Sequence, residues 1–322
     1  MTRVLVLGGT SWLGGEVARQ WVARGADVTC LARGLSGEVP PGANLVRVDR
    51  LEPGAYDEVS RSEWDEVVEV AWEAPLVTGA LDALAARAAH WTLVSSISVY
   101  ARSDEPGADE SAELLPGTDL EDYGHAKVAA ERASAAALGD RLLVARAGLI
   151  VGPGDRSDRF GYWVGRMALA GSEDVLAPTL AGRTAQVIDV EDLAAFLVLG
   201  GAAGLAAVVN ATGPVLPLQG VLRVAADVAG FSGRLREATD EQLEAAEVQP
   251  WAGPRSLPLW LPAGMEGFAQ RDIRRFLAAG GSPRDIRPTL ERTLDDERRR
   301  GLDRERRSGL RRQEELAVLA SL

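Results

Sequence analysis

Val4-Leu-Val-Leu-Gly-Gly-Thr-Ser-Trp-Leu-Gly14 decides how this chain is read. Four apolar residues, too short a run for a buried helix, suit a strand covered on both faces. The glycine-rich turn follows at once, and from Trp12 apolar residues recur at helical spacing. Strand, glycine turn and helix in immediate succession open a βαβ unit. The pattern then repeats over roughly 150 residues, with candidate strands near 3–8, 27–32, 44–48, 66–71, 91–96 and 141–147. Helices fit 12–25, 75–89 and 121–138, the second with Pro75 at its first position. The expected fold class is α/β, a doubly wound parallel Rossmann sheet with a smaller, interleaved C-terminal lobe for substrate.

Past Gly152-Pro153 the alternation weakens, and Gly, Pro and Trp recur through 152–184 and 211–268. Thr184–Val190 and Ala207–Ala211 look like strands returning to the main sheet, joined by a helix at 191–201. Residues 1–152, with 184–211 returning to them, are therefore expected to form the Rossmann domain. Residues 153–183 and 212–322 make the lobe and the C-terminal helices. The tail from about 286 is helical and rich in arginine, but acids interrupt the positive charge, which fits a solvated helix better than a nucleic-acid arm.

Composition sets limits. The 322 residues, 46% hydrophobic and 25% charged, are enough to bury a full core. A net charge of −12 gives little attraction for nucleic acid or anionic membrane. One cysteine, Cys30, excludes an internal disulfide, and two histidines, His90 and His125, argue against a metal site. With no apolar run near bilayer length and a strand starting at the third residue, a soluble cytoplasmic protein is expected.

The turn itself points to a ligand. A helix that opens on Gly8-Gly9-Thr10-Ser11-Trp12-Leu13-Gly14 aims its first amides at an anion, as dinucleotide pyrophosphate sites do. About 20 residues on, the second strand ends Cys30-Leu31-Ala32-Arg33-Gly34 with no acid to accept a ribose 2'-hydroxyl. Arg33 offers a planar fork of donors that matches a 2'-phosphate, which points to NADP, with NAD as the other possibility. An exposed loop arginine is the plain alternative. The fifth strand ends in hydroxyls, Ser95-Ser96-Ile97-Ser98, at the ligand edge of a parallel sheet. Tyr123 and Lys127, four residues apart, share one face of a helix. A phenol that exchanges protons near neutrality needs a neighbouring cation, and Lys127 would supply it.

Taken together these motifs resemble the extended short-chain dehydrogenase/reductase family, which includes NAD(P)-dependent epimerases, dehydratases and reductases. The carriers are the glycine turn, Asp49-Arg50, Ser95–Tyr100, Tyr123–Lys127, Arg146–Pro153 and Gln186–Asp192. The resemblance implies an enzyme with Tyr123 as proton donor or acceptor, Lys127 on the nicotinamide ribose and Ser96 on the substrate oxygen. It also implies Asp49 at the adenine edge, and Arg50, Ala71, Ser95, Ala147 and Gly148 among the cofactor contacts. Ser98, Trp163 and Trp251 are candidates to line the substrate pocket, although tryptophans such as these and Trp260 also serve simply as core. Asp155, Arg156 and Arg159 either orient substrate or form a local ion pair.

Three departures narrow the chemistry. Ser11 replaces the family's middle glycine. No carboxylate adjoins Ser96, which disfavours dehydration. Leu149 stands where nucleotide-sugar enzymes carry an asparagine. The expected function is NADP(H)-dependent reduction of a carbonyl, or oxidation of an alcohol, on a small or natural-product substrate. An epimerase of sugars or sugar nucleotides and a non-catalytic dinucleotide sensor or scaffold are the alternatives. Ala-rich helices at 75–89 and 121–138 suggest a homodimer, again by resemblance.

Overall fold

A computed structural model describes residues 1–322. Its strands and helices alternate from the start. They are β1 (Arg3–Leu7), α1 (Trp12–Ala23), β2 (Asp27–Ala32), β3 (Ala43–Arg47), β4 (Trp64–Glu69), α2 (Ala74–Leu84), β5 (Ala88–Ser96), α3 (Tyr123–Leu138) and β6 (Leu142–Ala147). The chain continues through β7 (Leu149–Val151), α4 (Gly161–Ala170), β8 (Val175–Pro178), β9 (Thr184–Asp189), α5 (Val190–Ala203) and β10 (Ala207–Ala211). Then follow β11 (Val215–Pro217), α6 (Leu218–Ala229), β12 (Leu235–Ala238), α7 (Asp240–Ala245), two short strands β13 (Gln249–Pro250) and β14 (Ser256–Leu257), α8 (Arg274–Ala278), α9 (Ile286–Arg300) and α10 (Arg312–Ser321).

Seven parallel strands form the main sheet in the order β3-β2-β1-β4-β5-β6-β10. The order reverses direction between β1 and β4, and the carboxyl ends of these strands flank a crevice. Apolar layers fill both faces. Val4, Val6, Val17 and Trp21 pack on one side with α1 and α5, and Leu5, Leu7, Val77 and Trp91 on the other with α2 and α3.

The strand at 184–189 departs from expectation. It was expected in the main sheet, but it lies between β7 and β11 in a separate three-stranded sheet. Gly148 is the cause. It separates β6 from β7, and its Cα is so close to Thr212 that a Cβ would sit 2.2 Å from the Thr212 hydroxyl. The chain steps out of the main sheet there, and β9 follows β7. β10 does join β6, as expected. Asp189 caps α5 through the Glu191 amide and accepts from Thr289 (2.7 Å) and Arg292 (2.6 Å), tying α9 to the sheet side of the molecule.

A second core of Trp163, Met167, Leu222, Trp260 and Leu290 holds α4, α6, α9 and the β8–β12 pair together. The arginine-rich tail is no merely solvated helix. Glu297 on α9 is buried and pairs with Arg300, Arg304 and Arg306, while Asp158 takes Arg300, Arg304 and the Arg307 amide. Its charges were readable in sequence, but their pairing with the 155–159 loop was not. No helix is long and apolar enough to cross a membrane.

Candidate active site

One cleft of about 1370 Å³ runs along the carboxyl ends of the sheet strands. Every residue named above as a cofactor, catalytic or substrate contact lines it, except Gly14 and Trp163. Gly14 packs inside the turn, where a Cβ would meet the Gly8 carbonyl at 2.4 Å. Trp163 is a correction. Its ring is fully buried in the lobe core and its indole donates to the Pro258 carbonyl (2.9 Å), so it holds the lobe and touches no ligand space. Trp260 is likewise core, donating to Asp240.

The glycine turn is shaped by packing on its inner side. Gly8 has φ +91°, and a Cβ on Gly9 would lie 2.3 Å from the Cys30 sulfur. Ser11 is the N-cap of α1, its hydroxyl accepting from the Gly14 amide at 3.2 Å. Filling the middle glycine's place with serine therefore completes the helix cap. The amides of Trp12 and Leu13 have no acceptor within the protein. Two unpaired donors at a helix N-terminus fit a dinucleotide pyrophosphate.

Farther along, Arg33 is well exposed at the end of β2 and lies 3.7 Å from Asp49, a loose surface pair. Arg50 behaves differently from its neighbour. It is buried against Glu69 in a two-pronged ion pair and also donates to the Tyr56 hydroxyl and the Leu76 carbonyl. Four of its five N–H donors are in use, so it anchors the strand ends and has one N–H to spare at the cleft wall. Ser95 is similar. Its hydroxyl donates to Glu131 (2.5 Å), which is paired with the buried Arg146.

Ser96 ends β5 and caps the turn at 97–99, accepting from the Ser98 amide at 3.1 Å and donating to the Ser98 hydroxyl at 3.2 Å. Asp122 caps α3 through the His125 amide. Gly124 then lets α3 approach that turn closely, since a Cβ would stand 2.5 Å from the Ser98 carbonyl. This contact sets Tyr123 beside Ser96 on the wall of the cleft. Partial desolvation raises the phenol's pKa, and the neighbouring Ser96 hydroxyl and Arg159 charge pull it back.

Lys127 stands apart from expectation. It is 2% exposed, and its ammonium donates to the carbonyls of Ala71 (3.0 Å) and Val94 (2.5 Å). Burial pulls its pKa down to about 8, against the raising influence of Glu69, Glu73 and Glu131. The Lys127 ammonium lies 6.0 Å from the centre of the Tyr123 ring, and Arg159, on the loop after β7, adds a second positive charge that lowers the phenol's pKa. Sequence also gave no sign of Trp72, which meets Tyr123 edge-on at 5.6 Å, or of Phe268, edge-on to Trp251 at 5.2 Å. Trp72 follows Ala71 at the end of β4, a position whose exposure to the crevice was the available signal. His125 lies off the cleft, its ring nitrogen accepting from the Thr118 and Asp119 amides.

The sequence profile of the NAD dependent epimerase/dehydratase family matches residues 4–205. The chain belongs to that family. Its fold is an extended short-chain dehydrogenase/reductase fold, and the protein is an enzyme of that NAD-dependent family. Among solved structures, a protein from Burkholderia cenocepacia superposes with a TM-score of 0.73 at 22% identity, covering 92% of this chain and 98% of that one. UDP-N-acetylglucosamine 4-epimerase from Methanobrevibacter ruminantium, in complex with UDP-N-acetylmuramic acid, gives 0.72 at 14% identity, covering 93% and 99%. UDP-glucuronic acid 4-epimerase from Bacillus cereus, in complex with NAD, gives 0.68 at 14% identity, covering 92% and 99%. At these identities the likeness is one of fold. No curated protein matches the chain in sequence.

Proposed function

We propose that the enzyme is an NADP(H)-dependent oxidoreductase that reduces a carbonyl or oxidises an alcohol on a small or natural-product substrate. The observation that carries this reading is the meeting of Ser96, Tyr123, Lys127 and the glycine turn in one cleft, with the Lys127 ammonium 6.0 Å from the centre of the Tyr123 ring. The bound dinucleotide supplies or accepts the hydride. In the reductive direction Ser96 and Tyr123 both donate to the substrate oxygen, and the phenol proton passes to that oxygen as charge develops on it. Arg159 stabilises the phenolate left behind. Lys127, fixed by two backbone carbonyls, has one N–H left to hold the nicotinamide ribose. Trp12 and Leu13 amides would hold the pyrophosphate, and Arg33 the 2'-phosphate.

The NADP preference rests on the absence of an acid at the end of β2 and on the exposed fork of Arg33. An epimerase that keeps its dinucleotide through each turnover is the second reading. It is favoured by the family and by the epimerases among the fold neighbours. Titration of the protein with NADPH and NADH, followed by fluorescence, separates the two. Preference for NADPH that Arg33→Glu removes supports the oxidoreductase. Equal or tighter NADH binding, with dinucleotide retained through purification, overturns it in favour of the epimerase.

A further inference from the structure

Arg159 reaches the cleft from the loop between β7 and α4, and the reaction above uses its charge but neither of its Nη groups. Its Nε donates to the Ser157 hydroxyl at 3.1 Å, its one side-chain hydrogen bond. Asp155, the acid whose charge it feels, is occupied: one oxygen accepts from the Ser157 amide (2.7 Å), the other from the Ser157 hydroxyl (2.9 Å). Both Nη groups are left without a protein acceptor, in a residue that lines the cleft. A partly buried guanidinium with no bonded carboxylate, on the wall of a cleft, is a ready partner for an anion that a ligand brings.

The platform beneath it is built for the purpose. The guanidinium lies over the Trp251 ring, 5.3 Å from its centre, and Phe268 braces that ring edge-on. Trp251 itself has φ +65°, a left-handed conformation rare for a bulky residue and costing on the order of 1 kcal/mol. The surrounding fold thus holds Trp251 at a strained angle that presents its ring to the cleft. Trp72 and Tyr123 form a second aromatic pair that lines the same cleft.

We propose that Arg159, seated on Trp251, receives a substrate oxyanion, chiefly a carboxylate held by the guanidinium fork. The substrate is then a ketone or secondary alcohol that carries an anionic group and an apolar body suited to a cleft lined by two aromatic pairs. This assignment of substrate class rests on the hydride-transfer reading, but the binding it predicts is measured without turnover.

The test uses benzoate, phenylphosphonate and neutral benzamide as probes, titrated by calorimetry against the protein with and without saturating NADP⁺. Benzoate or phenylphosphonate should bind with millimolar affinity and benzamide at least about ten-fold more weakly. Arg159→Gln should abolish the difference, Arg159→Lys should keep part of it, and Trp251→Leu should weaken all three probes. Tighter benzoate marks a carboxylate substrate, and tighter phenylphosphonate a phosphate-bearing one. The proposal is overturned by equal binding of benzamide and benzoate, or by discrimination that survives Arg159→Gln. It is equally overturned if no probe binds below about 50 mM, or if NADP⁺ displaces the anions, which would give Arg159 to the cofactor. Failure of NADPH to bind in the earlier titration would sink the hydride-transfer reading while leaving these probe measurements intact.

Discussion

The ammonium of Lys127 lies 6.0 Å from the centre of the Tyr123 ring and is bonded to the carbonyls of Ala71 and Val94. The two side chains share a helix face, yet each has its own partners: Lys127 the carbonyls at the strand ends, Tyr123 the edge-on ring of Trp72. Their roles should therefore separate experimentally. Tyr123→Phe should lower kcat about 10²-fold or more on any substrate reduced, with NADPH affinity within about two-fold of wild type. Lys127→Met should weaken NADPH binding as well as turnover. Stopped-flow fluorescence measures both, and equal effects on affinity would refute the separation.

Burial of Lys127 has a stability signature. With a folded pKa of about 8 and an unfolded one near 10.4, the unfolded chain binds the extra proton between those values. The unfolding free energy of wild type minus that of Lys127→Met should then rise from pH 8 to 10.5, by up to about 3 kcal/mol. Cys30 opposes it. Burial pushes that thiol up to about 12, so its contribution is present below its unfolded pKa and declines as pH rises toward 12. Urea titrations of wild type, Lys127→Met and Cys30→Ala across this range should give difference slopes of opposite sign.

The glycine turn offers a test of why its glycines are there. Gly9→Ala collides with the Cys30 side chain, whereas Gly14→Ala collides with the backbone carbonyl of Gly8. Cys30→Gly should restore much of the melting temperature lost in Gly9→Ala, and no side-chain change should rescue Gly14→Ala. A rescue of both would mean that the turn yields more readily than its close contacts suggest.

Arg50 and Glu69 form a buried pair, and Glu69 also accepts from the Ala71 amide at 2.8 Å. Glu69→Gln leaves the guanidinium short of its charge and should cost about 3 kcal/mol in denaturant unfolding. Arg50→Met should lower stability more than it lowers NADPH affinity. The reverse ranking would return Arg50 to the cofactor.

Much of the fold was legible because each strand of the parallel sheet carries a short apolar run, and β1, β2 and β6 fall within a residue or so of the expected bounds. β5 starts earlier than its composition suggests. Ala88-Ala-His90 favours helix by propensity, but His90 pairs across to the buried Glu66 on β4 at 2.5 Å, and that tertiary contact wins. The same holds at the site. Ser96, Tyr123 and Lys127 were readable from local spacing, whereas the partners of Arg50 and Ser95, and the ring beneath Arg159, lie on other elements. Trp163 and Trp251 look alike in sequence; only packing sends one into the core and the other to the cleft.

Because β10 completes the main sheet from beyond α4, β8, β9 and α5, the edge of β6 has no neighbour on that side while the chain emerges from the ribosome. Its run Leu142-Leu-Val-Ala-Arg-Ala147 is fully buried in the finished protein, so the nascent chain shows an apolar strand edge until residue 211 is made. A chain stopped near residue 150 would keep that edge and pair it with another copy. Synthesis of this enzyme thus passes through an aggregation-prone interval that ends only when the late strand docks.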